Sequence, residues 1–147
     1  MALGLALAQQ GRPQSAISSL QQAVEWDPDL SQAHTTLPMV YVQQQRPGDA
    51  LPHLRESVRL EPASDVAHLR LGAVLNQLNQ PGEAIPVLQR AVELKPNAPL
   101  NHLELARAQR QLGRHHEATR SLEIAYTLAQ QLGQHALAQQ IQQLLRQ

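Results

Sequence analysis

The sequence predicts an all-α fold, an α-α solenoid built from antiparallel helix pairs. The first observation is a repeat: EWDPDLSQAH begins at residue 25, RLEPASDVAH at 59 and ELKPNAPLNH at 93, an interval of 34 residues. The second is that apolar residues recur at helical spacing. The third is the near absence of aromatic residues, so that the core must come from Leu, Ala, Val and Ile. A repeat of this length indicates stacked units that bury their apolar faces against one another.

Several further positions keep the same interval and define four repeats. We assign the repeats to residues 1–30, 31–64, 65–98 and 99–132, the first of them truncated. The residues that recur are Pro13, Pro47 and Pro81; Pro28, Pro62 and Pro96; His34, His68 and His102; Ala16, Ala50, Ala84 and Ala118; Leu20, Leu54, Leu88 and Leu122; and Ala23, Ser57, Ala91 and Ala125.

Each repeat is predicted to be a pair of helices joined by a tight turn. In the third repeat Asn79 suits the left-handed conformation that ends a helix, and Pro81 suits the first turn of the next helix. Gly11, Gln45 and Gly113 hold the place of Asn79 in the other repeats. Pro28, Pro62 and Pro96 are expected to end each second helix, because proline has no N–H for the helical ladder. The repeated decamer is therefore the hinge between successive helix pairs.

The N-terminal stretch MALGLALAQ has two competing interpretations. Its short apolar run resembles part of a signal peptide, but no Lys or Arg precedes it. The repeat register instead predicts a helix here. If Leu3, Leu5 and Leu7 belong to that helix, weak self-association through the uncovered first repeat is expected.

Pro38 interrupts the pattern of the second repeat. It lies inside the first helix of that repeat, where Gly4, Gly72 and Ala106 stand in the other repeats. A proline removes a hydrogen bond and clashes with the carbonyl four residues earlier, at a cost of about 3 kcal/mol. We therefore predict a kink or a widened turn at this position.

Residues 133–147 are predicted to form a C-terminal capping helix. One helical face carries Leu137, Ile141, Leu144 and Leu145 among glutamines. A terminal repeat needs a polar outer face, and this helix would supply it. The alternative is a docking helix for a partner.

Composition excludes several classes of function. The chain of 147 residues has 12 basic and 12 acidic side chains and no cysteine. We therefore expect no nucleic-acid partner, because a basic stripe is missing, and no thiolate metal site. No apolar run is long enough to cross a membrane, and we expect a cytoplasmic location.

Catalytic and metal-binding patterns are not found, and the chain is not expected to be an enzyme or to hold a cofactor. His34, His68 and His102 belong to different repeats, and packed helices lie about 10 Å apart. Two ligands of one zinc ion lie roughly 4 Å apart. We interpret these histidines as half-buried packing residues, with no metal.

The repeats resemble the tetratricopeptide repeat family. That motif has a bulky residue, Leu-Gly, a large residue, Gly before the turn, Ala, a large residue, Ala and a closing Pro. The fourth repeat departs from it with Gln130 at the place of the proline, so its second helix is expected to run on. The third repeat supplies the motif as His68, Leu71, Gly72, Leu75, Asn79, Ala84, Leu88, Ala91 and Pro96.

The resemblance implies a right-handed superhelix whose first helices line a concave groove for a peptide or helix of another protein. Such a module acts as a scaffold for protein–protein interaction. The positions that carry contacts in the family correspond here to Gln32, Thr35, Met39, Val42, Gln43, Val66, Leu69, Ala73, Asn76, Gln77, Leu100, Leu103, Arg107, Arg110 and Gln111.

Arg107 and Arg110 suggest the chemistry of the partner. Two guanidinium groups on one helical face suit a carboxylate, and nearby leucines suit aliphatic anchors. An alternative is that the arginines are solvated or pair with Glu104 and Glu117. A second alternative concerns the whole chain, which would be a structural part of a larger protein, an enzyme or secretion component, that only positions another domain.

Overall fold

The computed structural model describes residue 10 and residues 12–147. The helix expected over MALGLALAQ lies outside the described residues. Within them the chain forms eight α-helices and no strand. The helices are α1 (Pro13–Trp26), α2 (Ser31–Gln43), α3 (Pro47–Leu60), α4 (Asp65–Gln77), α5 (Pro81–Leu94), α6 (Pro99–Gln111), α7 (His115–Gln131) and α8 (His135–Leu145).

The chain divides into two compact units, Met1–Pro62 and Ala63–Gln147. In the first unit α2 packs against both α1 and α3. In the second unit α4 to α8 pack in sequence, each against the next, and α4 also contacts α6 directly. This contact places the first helices of two successive pairs side by side.

The turns before α3, α5, α7 and α8 share one hydrogen-bonded motif. Gln45 and Asn79 adopt φ of 55°, and Gly113 and Gly133 adopt φ of 78° and 67°. In each turn the next residue donates its N–H to a carbonyl five residues earlier, as Gln80 does to Leu75 at 2.9 Å. This is the Schellman arrangement, which satisfies carbonyls left free at a helix end. The left-handed residue expected at Asn79 is thus observed.

The second helices end where the prolines predict. α1, α3 and α5 each end two residues before Pro28, Pro62 and Pro96, respectively, and each has 14 residues. α7 has no such proline and extends to 17 residues. The expected extension of the second helix in the fourth repeat is therefore confirmed.

The histidine of each decamer is buried, not half-buried as its sequence position suggested. His34, His68 and His102 are 4%, 7% and 7% exposed. A ring nitrogen of His34 lies 2.9 Å from the carbonyl of Pro28, and one of His102 lies 2.7 Å from that of Pro96. The corresponding contact of His68 is with the Ser64 carbonyl at 2.9 Å. The side chain thereby satisfies a carbonyl at the hinge, which apolar spacing alone does not reveal.

Pro38 does not widen the helix that contains it. α2 is α-helical without interruption from Ser31 to Gln43, and Pro38 is fully buried. The expected widened turn is therefore not formed. The hydroxyl of Thr36 donates to the Gln32 carbonyl at 2.8 Å on the same part of the helix. Burial of the apolar ring offsets the lost backbone hydrogen bond.

The core of the second unit extends to the C-terminal helix. α8 buries Ala138 and Ile141 against α6 and α7, with Leu137, Leu144 and Leu145 packed around them. These are the apolar residues that the sequence places on one face of residues 133–147. Among the described residues, no helix has the length and apolar character needed to cross a membrane.

A pair of histidines in the first unit couples packing to protonation. The Nδ1 atoms of His34 and His53 lie 3.4 Å apart, and the ring of Tyr41 stacks on His53 with centroids separated by 6.1 Å. Burial lowers the pKa of His53 below its ordinary value, and the nearby charge of His34 lowers it further. Folding therefore favours the neutral imidazole of His53.

Gly72 is required by the close approach of α4 and α5. A Cβ at this position would lie 2.3 Å from Cγ of Leu88, whose side chain is fully buried. We expect Gly72→Ala to lower the free energy of unfolding by about 1–2 kcal/mol, because overpacking exceeds the gain in helix propensity. Gly82→Ala is the control, since nothing lies within 4 Å of a Cβ there. Urea unfolding measures both; equal stability of Gly72→Ala and the parent would refute the packing argument.

His53 makes stability depend on pH in a defined direction. Its folded pKa lies below 6.5, so its contribution is present above that pH and is lost as the pH falls through the folded pKa. We expect His53→Gln to flatten the decline in unfolding free energy between about pH 7.5 and about pH 5. His116→Gln, at an exposed position, serves as control. An unchanged slope for His53→Gln in urea unfolding would contradict the prediction.

Candidate functional site

A cavity of about 390 Å³ lies between α4 and α6 in the unit Ala63–Gln147. Ala73 contributes the one small apolar side chain of its lining. Polar and charged side chains form the rest of its wall. The lining residues are Ala73, Asn76, Gln77, Glu104, Arg107, Arg110 and Gln111.

Hydrogen bonds between α4 and α6 hold this wall in place. The Asn76 amide donates to the Glu104 carbonyl at 3.0 Å and to a Glu104 carboxylate oxygen at 3.1 Å. In the opposite direction, the Gln111 amide donates to the Asn76 carbonyl at 3.0 Å. Asn76 is 6% exposed. It therefore acts by positioning Glu104 and Gln111, and offers little surface of its own.

Glu104 pairs with one of the two arginines of the cavity. Arg107 Nη1 lies 2.5 Å from Glu104 Oε1, and the side chains are 39% and 13% exposed. The carboxylate is thus largely covered, while the outer part of the Arg107 guanidinium faces solvent. A guanidinium carries five N–H donors, so Arg107 keeps donors for another acceptor.

Arg110 is held weakly and has no carboxylate partner in the described part of the chain. Its Nη1 lies 3.5 Å from the Leu144 carbonyl of α8, at the long limit of a hydrogen bond. Glu117 lies closest to a different arginine, Arg114, at 3.8 Å. The alternative of internal ion pairs therefore holds for Arg107 and Glu104 and not for Arg110 and Glu117. The cavity presents a net excess of positive charge near Arg110.

Six of the fifteen residues expected in the groove line the cavity. One of the other nine, Leu103, is buried in the core and does not line a groove. Leu103 is 1% exposed and belongs to the core formed by α6, α7 and α8. It is buried because α6 contacts α4, α5 and α7 at once, so Leu103 cannot take a partner's side chain without rearrangement. The six residues that line the cavity are Ala73, Asn76, Gln77, Arg107, Arg110 and Gln111.

The remaining expected residues lie outside the cavity. On the second unit, Val66 and Leu100 are 42% and 47% exposed, and Leu69 is half-buried. Exposed apolar side chains on the same unit as the cavity are suited to take aliphatic groups. The other five belong to α2 of the first unit: Gln32, Met39 and Gln43 are exposed, and Thr35 and Val42 are half-buried.

Glu104 is the residue of the cavity that the expected set omitted. The sequence offered a signal, because Glu104 precedes Arg107 by three residues, the spacing at which side chains meet on a helix. The described residues contain no group of three or more His, Asp or Glu side chains that could hold a metal ion. The residues that line the cavity offer hydrogen bonding and charge.

Comparison with known proteins places the chain among helical repeats. Three family models, each described as a tetratricopeptide repeat, match residues 1–30, 39–99 and 102–136. These models describe a repeat fold and no catalytic family. No curated protein sequence matches the chain.

Solved structures of MamA share the fold. MamA AMB-1 is 30% identical, with a TM-score of 0.81, over 87% of this chain and 76% of that one. MamA MSR-1 is 29% identical, with a TM-score of 0.80, over 88% and 74%. A further MamA crystal structure is 22% identical over 99% and 92%, with a TM-score of 0.82, which shows the fold alone. The all-α superhelix fold class predicted from the sequence is confirmed.

Proposed function

Because the chain belongs to the tetratricopeptide repeat family, and is thus a protein-interaction module, we propose that it binds a segment of a partner protein in the cavity between α4 and α6. The observation that carries the proposal is the cavity itself, whose wall is fixed by the hydrogen bonds of Asn76. A wall that is ordered before binding loses less conformational entropy on association. No catalytic step is assigned to it.

The charge of the cavity favours an acidic segment. Among the described residues, Arg110 is bound only by a long hydrogen bond to a carbonyl, and Arg107 keeps donors beyond its pair with Glu104. Arginine binds carboxylates through two parallel N–H groups, which gives both energy and orientation. The amides of Gln77 and Gln111 border the same space. A carboxylate of the partner, from a side chain or a free C-terminus, would complete this set of donors.

Apolar groups on the same unit favour aliphatic anchors beside the carboxylate. Leu100 and Val66 are exposed by almost half of their surface, and Leu69 is partly exposed. Burial of such a side chain contributes about 25 cal/mol per Å² of apolar surface. Leu103 takes no part in this contact, since it lies in the core. The proposed ligand therefore combines Asp or Glu residues with Leu, Ile or Val.

Removal of both arginines is expected to weaken binding of such a segment. The probe is a fluorescein-labelled peptide that carries two glutamates beside two leucines, compared with the same peptide carrying glutamines. Arg107→Gln with Arg110→Gln should lower its affinity at least tenfold, about 1.4 kcal/mol, and reduce the dependence on salt. Fluorescence anisotropy measures the affinity, and circular dichroism shows that helix content is retained.

Arg120→Gln with Arg146→Gln removes the same charge at exposed positions and should leave the affinity unchanged. If the double variant of the cavity binds the glutamate peptide as tightly as the parent, the acidic-ligand proposal is wrong. If neither peptide binds the parent, the alternative of a purely positioning array is favoured.

A further inference from the structure

A second surface of the molecule is dominated by one exposed aromatic residue. Trp26, the single tryptophan of the chain, ends α1 and is 91% exposed. It borders a shallow cavity of about 580 Å³ in the first unit. The cavity is lined by the last two turns of α1 and the loop that follows: Ser19, Gln22, Ala23, Glu25, Trp26, Asp27 and Leu30.

The fold does not require a tryptophan at this position. The same register of the repeat holds Leu60, Leu94 and Leu128, and each of these leucines is partly buried. A leucine packs where the tryptophan projects into water. An indole buries 150–250 Å² when it is covered and is often found at interfaces. Its exposure here leaves a large apolar face available for contact.

The surroundings of Trp26 are negatively charged. Glu25 and Asp27 flank the indole, and neither forms an ion pair with any described residue. Arg59 does not neutralise them, because its guanidinium pairs with two other carboxylates. Nη2 of Arg59 lies 2.6 Å from Oδ1 of Asp29 and 2.6 Å from Oε1 of Glu56. The lining contains no Lys or Arg. Both acidic residues are exposed and line the same cavity as the indole, and one oxygen of Asp27 also accepts the backbone N–H of Asp29 at 3.2 Å.

The end of α1 adds to this negative field. The C-terminus of a helix carries a partial negative charge, which basic side chains in the last turn commonly offset. α1 has no basic residue in its last turn. A cation near Trp26 would gain from the helix end, from both carboxylates and from the face of the indole.

We propose that the Trp26 surface, defined as Glu25, Trp26, Asp27 and the cavity beside them, docks a basic segment of a partner protein. A Lys or Arg side chain lies over the indole, and its charge is met by Glu25 and Asp27. The Trp26 surface would prefer a basic segment, whereas the cavity between α4 and α6 would prefer an acidic one. The chain would thus hold two segments of unlike charge at separate surfaces.

The single tryptophan makes the proposal measurable in the intact chain. Hexalysine is the probe and hexaglutamate the matched control peptide. Hexalysine should change the Trp26 emission with saturation, and added salt should reverse the change because the attraction is electrostatic. Hexaglutamate should leave the emission unchanged. No response to hexalysine at millimolar concentration would overturn the proposal.

Two sets of variants separate a docking surface from general attraction. Glu25→Gln with Asp27→Asn should weaken hexalysine binding at least fivefold, whereas Glu93→Gln with Glu123→Gln, which removes two acidic charges elsewhere, should not. Trp26→Ala, followed with fluorescein-labelled hexalysine, should weaken binding about two- to fivefold without loss of helix content, since the side chain is exposed. An equal effect of the two acidic pairs would overturn the proposal.

A second copy of the chain is the competing occupant. In that case the Trp26 emission of the protein alone would vary with protein concentration, and sedimentation velocity would show association that Trp26→Ala abolishes. That result would overturn the assignment to a basic partner segment. An emission independent of protein concentration, together with the response to hexalysine, supports it.

Discussion

The close approach of paired helices is the constraint on which the other features depend. It is set by small residues at fixed places: Ala50 and Ala84 are 0% exposed and Ala118 is 1% exposed. With only a methyl group at these positions, the backbones of adjoining helices approach and the neighbouring leucines interlock. At Gly72 even a methyl group would not fit, because Leu88 occupies the space that a Cβ would need. A core of this kind tolerates almost no aromatic residues, which is consistent with a chain that has only three.

The polar wall of the cavity is a consequence of that packing. Because α4 and α6 are in direct contact, Asn76 of one helix reaches both the backbone and the side chain of Glu104 on the other. A largely covered carboxylate is costly unless it is paired and hydrogen-bonded. Here it has Arg107 and Asn76. The arrangement leaves Arg110 as the guanidinium most open to a ligand, and this asymmetry gives the cavity its positive character.

The repeat length, the helix pairs and their turns could be predicted from the sequence because each rests on a local rule. Left-handed turn residues, closing prolines and alanine registers recur every 34 residues, and the structure follows them at Asn79 and at the ends of α1, α3 and α5. The burial of individual side chains was harder to predict from the sequence. The family resemblance led us to expect Leu103 in the groove, yet three neighbouring helices cover it. The hydrogen bonds of the hinge histidines and the role of Glu104 depend on pairing between side chains distant in sequence, which periodicity does not encode.

We propose that the segment-binding site lies between α4 and α6. The most direct test is nuclear magnetic resonance of the ¹⁵N-labelled chain during titration with the peptide of glutamates and leucines. We expect saturable shifts concentrated at residues around the cavity, with Trp26 unaffected. These residues are Ala73, Gln77, Arg107, Arg110 and Gln111. Shifts confined to α1 to α3, or spread evenly over the acidic and basic surface alike, would contradict it.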